Sequence, residues 1–597
     1  MTPEPLPSAL DRHFAELINR LAARPDSELQ LAALLASQHQ GSGNICWPLR
    51  EAAGQPLPDK LLGFERTPEA ASWAKKLRAT GMIGEPGEFK PLILDQQDRL
   101  YLRRYWEYED ALAKAILARL NAPAPVVDRE LLENGLARLF PKSDETDWQR
   151  VAAANAVTRN FSVITGGPGT GKTRTVIAIL ALLLEQSEQA LRIALVAPSG
   201  KAAARLKESI EDAKVELNCS AAIKDRLPTD ASTIHRLLGT IPDSPYFRHD
   251  LDRPLVADAV IVDEASMVDL ATMAKLFSAI PPAARVILLG DKDQLASVEA
   301  GYVLGDICHL PVTPTDAPER GSQLAFSFTE MAANSSLQDA IVELRRNYRF
   351  PKSSGISQLV TAINQGDADE AVRILKEKDR ADVTWKPLPN SRALEKPLRT
   401  AVVHSFRNYL EANDPAEALQ RFSEFRVLCA LRKGPFGVME WNEAIEQSLA
   451  QSGLLREMET WFRGRPVMVT RNDYNARLFN GDIGLVWPDP EGRDEKRVFF
   501  PTSQGELRRV LPSRLPVHET AFALTVHKSQ GSEFSRVLLV MPENDSPLLT
   551  RELLYTGLTR AREQVEIWAP EPVLRAAIAR RVVRTSGLRD ALHGATG

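Results

Sequence analysis

Phe161-Ser-Val-Ile-Thr-Gly-Gly-Pro-Gly-Thr-Gly-Lys-Thr173 is the segment that most strongly indicates the fold of this chain. It joins a short apolar strand to a glycine loop ending in Lys and Thr, and an apolar helical pattern follows directly. This is the P-loop order, in which backbone N–H groups and a helix N-terminus surround a triphosphate. We expect Lys172 to contact the β- and γ-phosphates and the Thr173 hydroxyl to bind Mg²⁺. The predicted ATP-binding residues of this loop are Gly166, Gly167, Pro168, Gly169, Thr170, Gly171, Lys172 and Thr173.

A loop that holds ATP does not reveal how the ATP is used, and acidic residues downstream supply that information. Val260-Ile-Val-Asp-Glu264 is an apolar strand that ends in two carboxylates. We expect Asp263 to hold Mg²⁺ through water and Glu264 to activate the attacking water, as phosphoryl transfer to water requires. Alone, this pattern is equally typical of a polar strand end, but its position downstream of a P-loop favours a hydrolase.

Two glutamines complete the predicted nucleotide site. Gln294 follows the next apolar run, where its amide can sense the γ-phosphate or position water. Gln149 precedes the P-loop, and one amide can both donate to and accept from an adenine edge. Each pattern alone is also typical of a plain turn or a surface glutamine.

Composition limits the class of protein without fixing its partner. The 597 residues predict about three or four domains. A net charge of −4 gives no overall basic field, although a DNA groove needs only local Lys and Arg. The four separated cysteines form no zinc or disulfide pattern and fit a reducing cytoplasm. With neither a signal peptide nor a run of ~20 apolar residues, we expect a cytoplasmic protein without a membrane segment.

The chain divides into an N-terminal region and two α/β series. Residues 1–125 alternate helical patterns with Pro and Gly breaks, which predicts a helical domain. Residues 126–345 alternate β-rich runs with helices and predict a doubly wound parallel sheet that binds ligands at its strand carboxyl ends. Residues 346–597 repeat this pattern, and 455–518 within them predict a small all-β, barrel-like insert. Residues 311–335 resemble an insertion and receive no role.

Three segments have the composition of nucleic-acid contacts. They offer hydroxyls, histidines, lysines and backbone N–H groups, which suit a phosphate backbone, and two of them follow apolar strands. A capped helix or a turn is the simpler interpretation of each segment in isolation. The candidate DNA-binding residues are Pro198, Ser199, Lys201, Thr233, His235, Thr525, His527 and Lys528.

Arginines in or beside the second α/β series supply the remaining charge. Arg349 ends the run 344–349, and Arg560 lies in the run 555–562. If these arginines touch a γ-phosphate held by the first core, hydrolysis is coupled to closure of the two cores. Alone, each run is also typical of surface ion pairs.

A weaker pattern near the N-terminus superficially suggests a metal nuclease. It consists of Asp26 and Glu88 with Lys90 before an apolar run. The spacing is loose and the residue types are common, so exposed charges are the preferred interpretation.

Taken in order, the motifs resemble those of superfamily 1 helicases of the 5′→3′ class. The set comprises residues 166–173, 262–267, 289–295, 347–349, 525–533 and 555–562. Within that class, further segments are similar to the RecD family, the alpha subunits of exodeoxyribonuclease V. These segments are 428–437, 469–474 and 478–484, with a weaker similarity at 43–46 and 100–105.

The resemblance implies a fold of two RecA-like P-loop domains after a partner-docking N-terminal domain. It also implies one ATP site formed by Lys172, Thr173, Asp263, Glu264, Gln294, Arg349 and Arg560, with Gln149 at the adenine. RecD-like proteins pair with RecB- and RecC-like partners that unwind and degrade DNA from double-strand ends. Their nuclease centre lies in the RecB-like subunit, so the N-terminal acids need no nuclease role.

The sequence therefore predicts an ATP-driven 5′→3′ single-strand DNA translocase and helicase. It would be the motor subunit of a RecBCD-like helicase–nuclease that processes double-strand ends for recombinational repair. Closure and reopening of the two cores would move the strand past two sets of DNA contacts, one on each core. The β insert would lie near the path of the DNA. The alternatives are a stand-alone 5′→3′ helicase, an RNA-directed motor and a nucleotide-gated scaffold, although a scaffold has no need of Glu264 as a base. The polarity rests on the resemblance alone.

Overall fold

The N-terminal region packs helices against a small mixed sheet. The computed structural model describes residues 6–141, 146–309, 336–351, 353–377, 380–389, 395–455, 459–473, 475–492, 495–502 and 506–593, so the segment 311–335 lies outside the described residues. The N-terminal strands are β1 (Cys46–Pro48), β2 (Ile83–Gly84), β3 (Leu92–Leu94) and β4 (Arg99–Leu102). The helices are Ala9–Leu21, Ser27–Gly41, Leu49–Ala52, Ala70–Ala79 and Arg103–Asn121.

The expectation of a purely helical N-terminal region is therefore incomplete. The sheet order is β1-β4-β3-β2, with β4 antiparallel to both of its neighbours and β2 parallel to β3. These strands are too short to show a two-residue alternation, and Pro and Gly beside them suggest only breaks.

The first core is a parallel sheet, as predicted, and it has six strands. Its order, β10-β5-β9-β8-β6-β7, places the P-loop strand β5 between β10 and β9. The strands are β5 (Phe161–Thr165), β6 (Ile193–Ala197), β7 (Ala231–Thr233), β8 (Ala259–Val262), β9 (Arg285–Gly290) and β10 (Ile341–Glu343). The helices are Arg129–Leu139, Trp148–Thr158, Lys172–Glu185, Gly200–Glu216, Ala221–Arg226, Ile234–Leu238, Leu270–Ala279 and Val303–Ile307. All five pairings are parallel, so the polar residues after each strand gather at one edge.

The second core is also a parallel sheet, and an antiparallel sheet interrupts it. The strands after residue 345 are β11 (Val383–Lys386), β12 (Phe425–Cys429), β13 (Pro466–Val469), β14 (Ile483–Pro488), β15 (Lys496–Pro501), β16 (Leu507–Val510), β17 (His518–Thr520), β18 (Ala523–Thr525), β19 (Phe534–Val540) and β20 (Ala561–Trp568). The parallel sheet has the order β11-β20-β19-β12-β18. The helices are Gly355–Gln365, Ala368–Lys376, Glu395–Leu410, Pro415–Phe422, Val438–Gln451, Arg551–Leu558, Glu571–Ala579 and Leu588–His593.

The insert is an antiparallel sheet of order β16-β15-β14-β13-β17. Its all-β character follows from short strands separated by turns such as the one at Gly481, where φ is 93°. In the described residues β16 and β17 form the two ends of this order, so closure into a barrel stays a prediction.

Hydrophobic clusters join the regions to one another. Leu112 and Ile116 of the N-terminal region, Phe277 of the first core and Leu588 near the C-terminus belong to one buried cluster. Leu295, which follows β9, is buried among residues of the second core. Loops of the first core are therefore held by side chains from the second. No helix within the described ranges combines the length and apolarity needed to cross a membrane.

Candidate nucleotide and nucleic-acid site

A cleft of about 620 Å³ lies between the two cores, at the carboxyl ends of β5, β8 and β9. The P-loop, Asp263, Glu264 and Gln294 line it from the first core, and Arg349 and Arg560 line it from the second. The structure thus brings together the residues predicted for phosphate binding and hydrolysis.

The P-loop is held open by backbone geometry and by contacts to residues 347–349. Gly169 and Gly171 both have φ of 83°, a left-handed conformation that favours glycine. Asn347 Nδ2 donates to the carbonyl of Pro168 at 3.1 Å, and Tyr348 N donates to the carbonyl of Gly169 at 2.8 Å. The loop conformation therefore depends on residues that lead into the second core.

Lys172 occupies the space inside the loop. Its Nζ donates to the carbonyl of Gly166 at 2.6 Å and to that of Gly167 at 3.3 Å. A lysine ammonium has three donors, and carbonyl oxygens are weaker partners than phosphate oxygens. This position suits a group that exchanges backbone carbonyls for a triphosphate.

Gln149 lies against the loop, but part of its amide is already engaged. Its side chain is buried, and Nε2 donates to the carbonyl of Thr170 at 2.9 Å. A Cβ at Gly171 would lie 2.1 Å from this nitrogen, so a side chain there would displace the Gln149 amide. Contact of Gln149 with adenine stays a prediction.

The two acids after β8 differ in their surroundings. Asp263 Oδ1 accepts the backbone N–H of Glu264 at 2.9 Å. Burial and the neighbouring Glu264 raise the pKa of Asp263 to about 6, against the opposing charge of Lys172. Glu264 has φ of 52°, and its Oε2 has no hydrogen-bond partner among the described residues. A left-handed non-glycine residue with an unpaired oxygen at a cleft is typical of a functional position.

Gln294 is almost fully enclosed, with 2% of its surface exposed. Its Nε2 donates to Asp291 Oδ2 at 2.9 Å, whereas its Oε1 is buried without a partner among the described residues. The side chain also lines the nucleotide cleft. One end of the amide is thus fixed by Asp291 and the other remains available to a ligand.

The two predicted arginines are engaged in different ways. Arg349 forms an ion pair with Glu533, and its Nη1 donates to the carbonyl of Thr559 at 3.4 Å. Arg560 is buried, and its Nε and Nη1 donate to the carbonyls of Thr556 and Ser532 at 3.1 and 3.2 Å. Burial lowers the pKa of Arg560. Backbone carbonyls bind the guanidinium directly, and the carboxylates of Glu264, Glu533 and Asp291 partly offset the effect of burial on its charge.

Three charged residues of the cleft carry no role in the sequence prediction. Glu533 accepts from Arg349 and also from Arg562 Nε at 3.0 Å. Burial opposes ionisation of Glu533, but the surrounding arginines outweigh it and lower its pKa to about 2. Arg205 also lines the cleft, one helical turn after Lys201. Glu533 and Arg562 lie inside recognised motifs, whereas only the spacing from Lys201 points to Arg205.

The predicted DNA-contacting hydroxyls act as local caps. Ser199 and Thr233 each begin a helix, and their hydroxyl oxygens accept the backbone N–H groups of Ala202 and Arg236 at 3.2 Å. Thr525 Oγ1 accepts the backbone N–H of Lys528 at 3.2 Å. These three contacts match the alternative interpretation of capped helices and turns.

Both predicted DNA-contacting lysines are engaged within the protein. Lys201 Nζ donates to Ser532 Oγ of the second core at 2.7 Å, and burial together with nearby arginines lowers its pKa to about 8. Lys528 Nζ forms an ion pair with Glu519 Oε1 at 2.6 Å. A phosphate backbone would have to displace both partners.

The remaining candidates lie nearby without a settled contact. Pro198 directly follows β6, and His235 packs its ring edge on Phe247 with centroids 5.5 Å apart. Burial lowers the pKa of both His235 and His527, which favours neutral imidazoles at pH 7. Their contact with DNA stays a prediction.

Comparisons with known proteins cover the whole chain. Three family profiles match: an AAA domain at residues 149–300, a UvrD-like helicase C-terminal domain at 520–567, and the RecBCD enzyme subunit RecD, N-terminal domain, at 6–101. The chain is 39% identical over 596 residues to the RecBCD enzyme subunit RecD of Mycolicibacterium smegmatis, covering 98% of this chain and 97% of the relative. It is 37% identical over 524 residues to that of Haemophilus influenzae, covering 83% and 80%. A solved structure of two coordinating Pif1 helicases at forked dsDNA covers 72% of this chain and 94% of its own, with 17% identity and a TM-score of 0.38.

Proposed function

The chain belongs to the family of RecBCD enzyme subunit RecD, and on that premise we propose an ATP-driven 5′→3′ DNA translocase and helicase. One observation carries the motor assignment: the P-loop and acids of the first core and the arginines of the second line one cleft. A site shared in this way changes shape when the cores move, so hydrolysis can drive movement along DNA.

The residues of the cleft divide the work of hydrolysis between them. Lys172 and the P-loop N–H groups bind the phosphates of ATP. Glu264 accepts a proton from water, whose oxygen attacks the γ-phosphorus while the bond to the β–γ bridging oxygen breaks. Arg349 and Arg560 neutralise the charge that develops on the γ-phosphoryl group and the leaving ADP. The products are ADP and phosphate, and Glu264 later returns its proton to solvent.

The donor set fits Mg²⁺, which binds hard oxygen ligands and keeps several waters. The Thr173 hydroxyl and the Asp263 carboxylate both line the cleft and would hold the ion. When bound, Mg²⁺ neutralises phosphate charge during transfer.

Hydrogen bonds across the cleft connect the nucleotide site to Lys201, one of the proposed DNA-binding residues. A phosphate in the cleft would compete with Glu533 for Arg349, and Glu533 is two residues after Gly531, whose carbonyl accepts from Arg205. Lys201, one turn before Arg205, donates to Ser532 in the same segment. Nucleotide binding would therefore rearrange the segment that engages Lys201.

The family membership also supports a proposal about assembly. We propose that residues 1–125 dock on a RecC-like subunit and that a RecB-like subunit supplies the nuclease, in a cytoplasmic complex acting on DNA double-strand ends. Residues 126–345 and 346–597 would form the two motor domains, and the antiparallel sheet within 455–518 would lie near the DNA track. Co-purification separates this from a stand-alone helicase, which would be recovered without the two partners.

Replacement of Lys172 tests the motor assignment directly. Lys172→Gln removes the ammonium and leaves a neutral polar side chain one atom shorter, so DNA-stimulated ATP turnover should fall to background with an unchanged melting temperature. Unwinding of duplexes with a 5′ or a 3′ tail then tests polarity, and only the 5′-tailed substrate should be opened. Unchanged ATP turnover by the variant would contradict the motor assignment. Preferential unwinding of the 3′-tailed substrate would contradict the proposed 5′→3′ polarity.

A further inference from the structure

The loop after β9 is gripped from the second core. The backbone N–H of Leu295 donates to Thr556 Oγ1 at 3.0 Å, and Gln530 Nε2 donates to the carbonyl of Leu295 at 3.2 Å. The Leu295 side chain lies in the hydrophobic cluster of the second core. This loop also carries Gln294, so the second core holds both the backbone and the surroundings of the glutamine.

A third contact reaches Gln294 through Asp291. Asp291 has 1% of its surface exposed, and its Oδ2 accepts from Gln294 Nε2 at 2.9 Å and from the Tyr555 hydroxyl at 2.8 Å. Tyr555 belongs to helix Arg551–Leu558 of the second core and is 3% exposed. A single carboxylate oxygen therefore joins a side chain of each core.

The position of the Tyr555 hydroxyl ties this network to the P-loop. A Cβ at Gly167 would lie 2.7 Å from the hydroxyl oxygen, so the tyrosine packs directly against the phosphate loop. Its own helix is followed by Arg560, whose Nε donates to the carbonyl of Thr556. The helix Arg551–Leu558 and the residues directly after it therefore position both Arg560 and the Tyr555 hydroxyl.

We propose that Tyr555 is a positioning residue for ATP hydrolysis, acting through Asp291 to orient Gln294 only when the two cores are together. With Nε2 anchored, the unpaired Oε1 of Gln294 is held beside the cleft, where it would accept a hydrogen bond from the attacking water. Separation of the cores removes the hydroxyl from Asp291, and the amide loses its fixed orientation. This inference rests on the proposed ATPase function. It implies that hydrolysis proceeds only after the two cores have closed.

The chemistry of the contact supports a positioning role over simple packing. A buried carboxylate oxygen that accepts two hydrogen bonds is fixed in direction, and removal of one donor frees it to rotate. Because Gln294 Nε2 donates to this oxygen of Asp291, the orientation of the amide depends on the orientation of the carboxylate. Tyr555 does not need to touch substrate for this effect.

The test compares two tyrosine hydroxyls that each donate to a buried carboxylate. Tyr555→Phe removes the hydroxyl beside Asp291, and Tyr101→Phe removes a hydroxyl that donates to Glu109 at 3.0 Å in the N-terminal region. Each substitution is made in the full-length chain, assayed alone and with co-purified partners, and again in a Gln294→Ala background. Turnover by the matching Lys172→Gln preparation is subtracted, which removes ATP hydrolysis by any other subunit.

Tyr555→Phe should lower kcat for DNA-stimulated hydrolysis roughly threefold to tenfold, the weight of one hydrogen bond, with KM for ATP nearly unchanged. Tyr101→Phe should leave kcat unchanged, and Tyr555→Phe should have no further effect once Gln294 is alanine. An unchanged kcat in Tyr555→Phe, or an equal loss with and without Gln294, would overturn the inference. Wild-type turnover no higher than that of Lys172→Gln would instead overturn the proposed function, and the inference would fall with it.

Discussion

The nucleotide cleft and the proposed DNA grips, which are the sites of Lys201 and Lys528, differ in whether their polar atoms already have partners. In the cleft, Glu264 and Gln294 each present a buried oxygen without a partner among the described residues. In the grips, Lys201 and Lys528 already bond to Ser532 and Glu519. Lys172 and Arg349 of the cleft also have internal partners, so the cations of both sites are engaged, and only the cleft adds unpaired acceptor oxygens. Movements of the two cores that break the bonds of Lys201 and Lys528 can therefore change the affinity for DNA.

The largest expected effect comes from the buried arginine of the cleft. Arg560→Lys keeps the charge but loses the planar set of donors, so DNA-stimulated kcat should fall about 100-fold. Arg562→Lys is the matched control, since this arginine lies at the exposed rim and pairs with Glu533. Steady-state ATPase assays should show a loss below about threefold for the control. Equal losses in the two variants would contradict a special role for Arg560.

Substitutions in the Lys528–Glu519 pair should change the affinity for single-stranded DNA in both directions. Lys528→Gln should weaken single-stranded DNA binding several-fold and reduce the slope of log K against log salt by roughly 0.7, the effect of one phosphate contact. Glu519→Gln frees the lysine and should tighten binding. Fluorescence anisotropy over a salt series measures both. A Lys528→Gln variant with wild-type affinity and slope would remove this lysine from the DNA track.

The lowered pKa of Lys201 predicts a pH dependence of DNA binding. Below pH 8 its ammonium is charged and attracts phosphate, and above pH 8 it becomes neutral. Affinity for single-stranded DNA should therefore fall as pH rises from 7 to 9 at constant ionic strength. Lys201→Gln should bind more weakly at pH 7 and show a flatter profile. Parallel profiles for the two proteins would show that Lys201 makes no ionic contact with DNA.

The smallest expected effect separates a helix cap from a DNA contact. Ser199→Ala removes the hydroxyl that accepts from Ala202 and should lower the free energy of unfolding by about 1 kcal/mol. Ser220→Ala removes an equivalent cap, which accepts from Ile223 at 3.3 Å, outside the predicted DNA segments. Denaturant unfolding and DNA titrations should show similar stability losses, with weaker DNA binding only for Ser199→Ala. Unaltered DNA binding by Ser199→Ala would leave this serine as a cap alone.

The sequence predicts best what is encoded locally. Strand β8 is a continuous apolar run and the P-loop strand β5 is a mainly apolar one, and the bounds of both match the prediction closely. Strands β7 and β10 have only three residues each at the sheet edges, so they give no periodic signal. The N-terminal sheet escapes prediction for the same reason.

Contacts between distant residues account for the rest of what the sequence does not reveal. The partner of Lys201 lies 331 residues later, and the Tyr555–Asp291 bond joins residues 264 apart. No local pattern records such pairs, although the motifs that contain them are recognisable. The sequence therefore predicts the members of the ATP site, while the structure supplies the bonds by which the two cores hold each other.

If nucleotide in the shared cleft moves one core relative to the other, a distance measured between the two cores must change when nucleotide binds. Spin labels fit at Val215→Cys and Met439→Cys, exposed positions on helices Gly200–Glu216 and Val438–Gln451, in a Cys219→Ser background. Double electron–electron resonance should show a shift in the inter-label distance when a non-hydrolysable ATP analogue and Mg²⁺ are added, and no shift in Lys172→Gln. Identical distance distributions with and without nucleotide in the wild-type sequence would contradict the account.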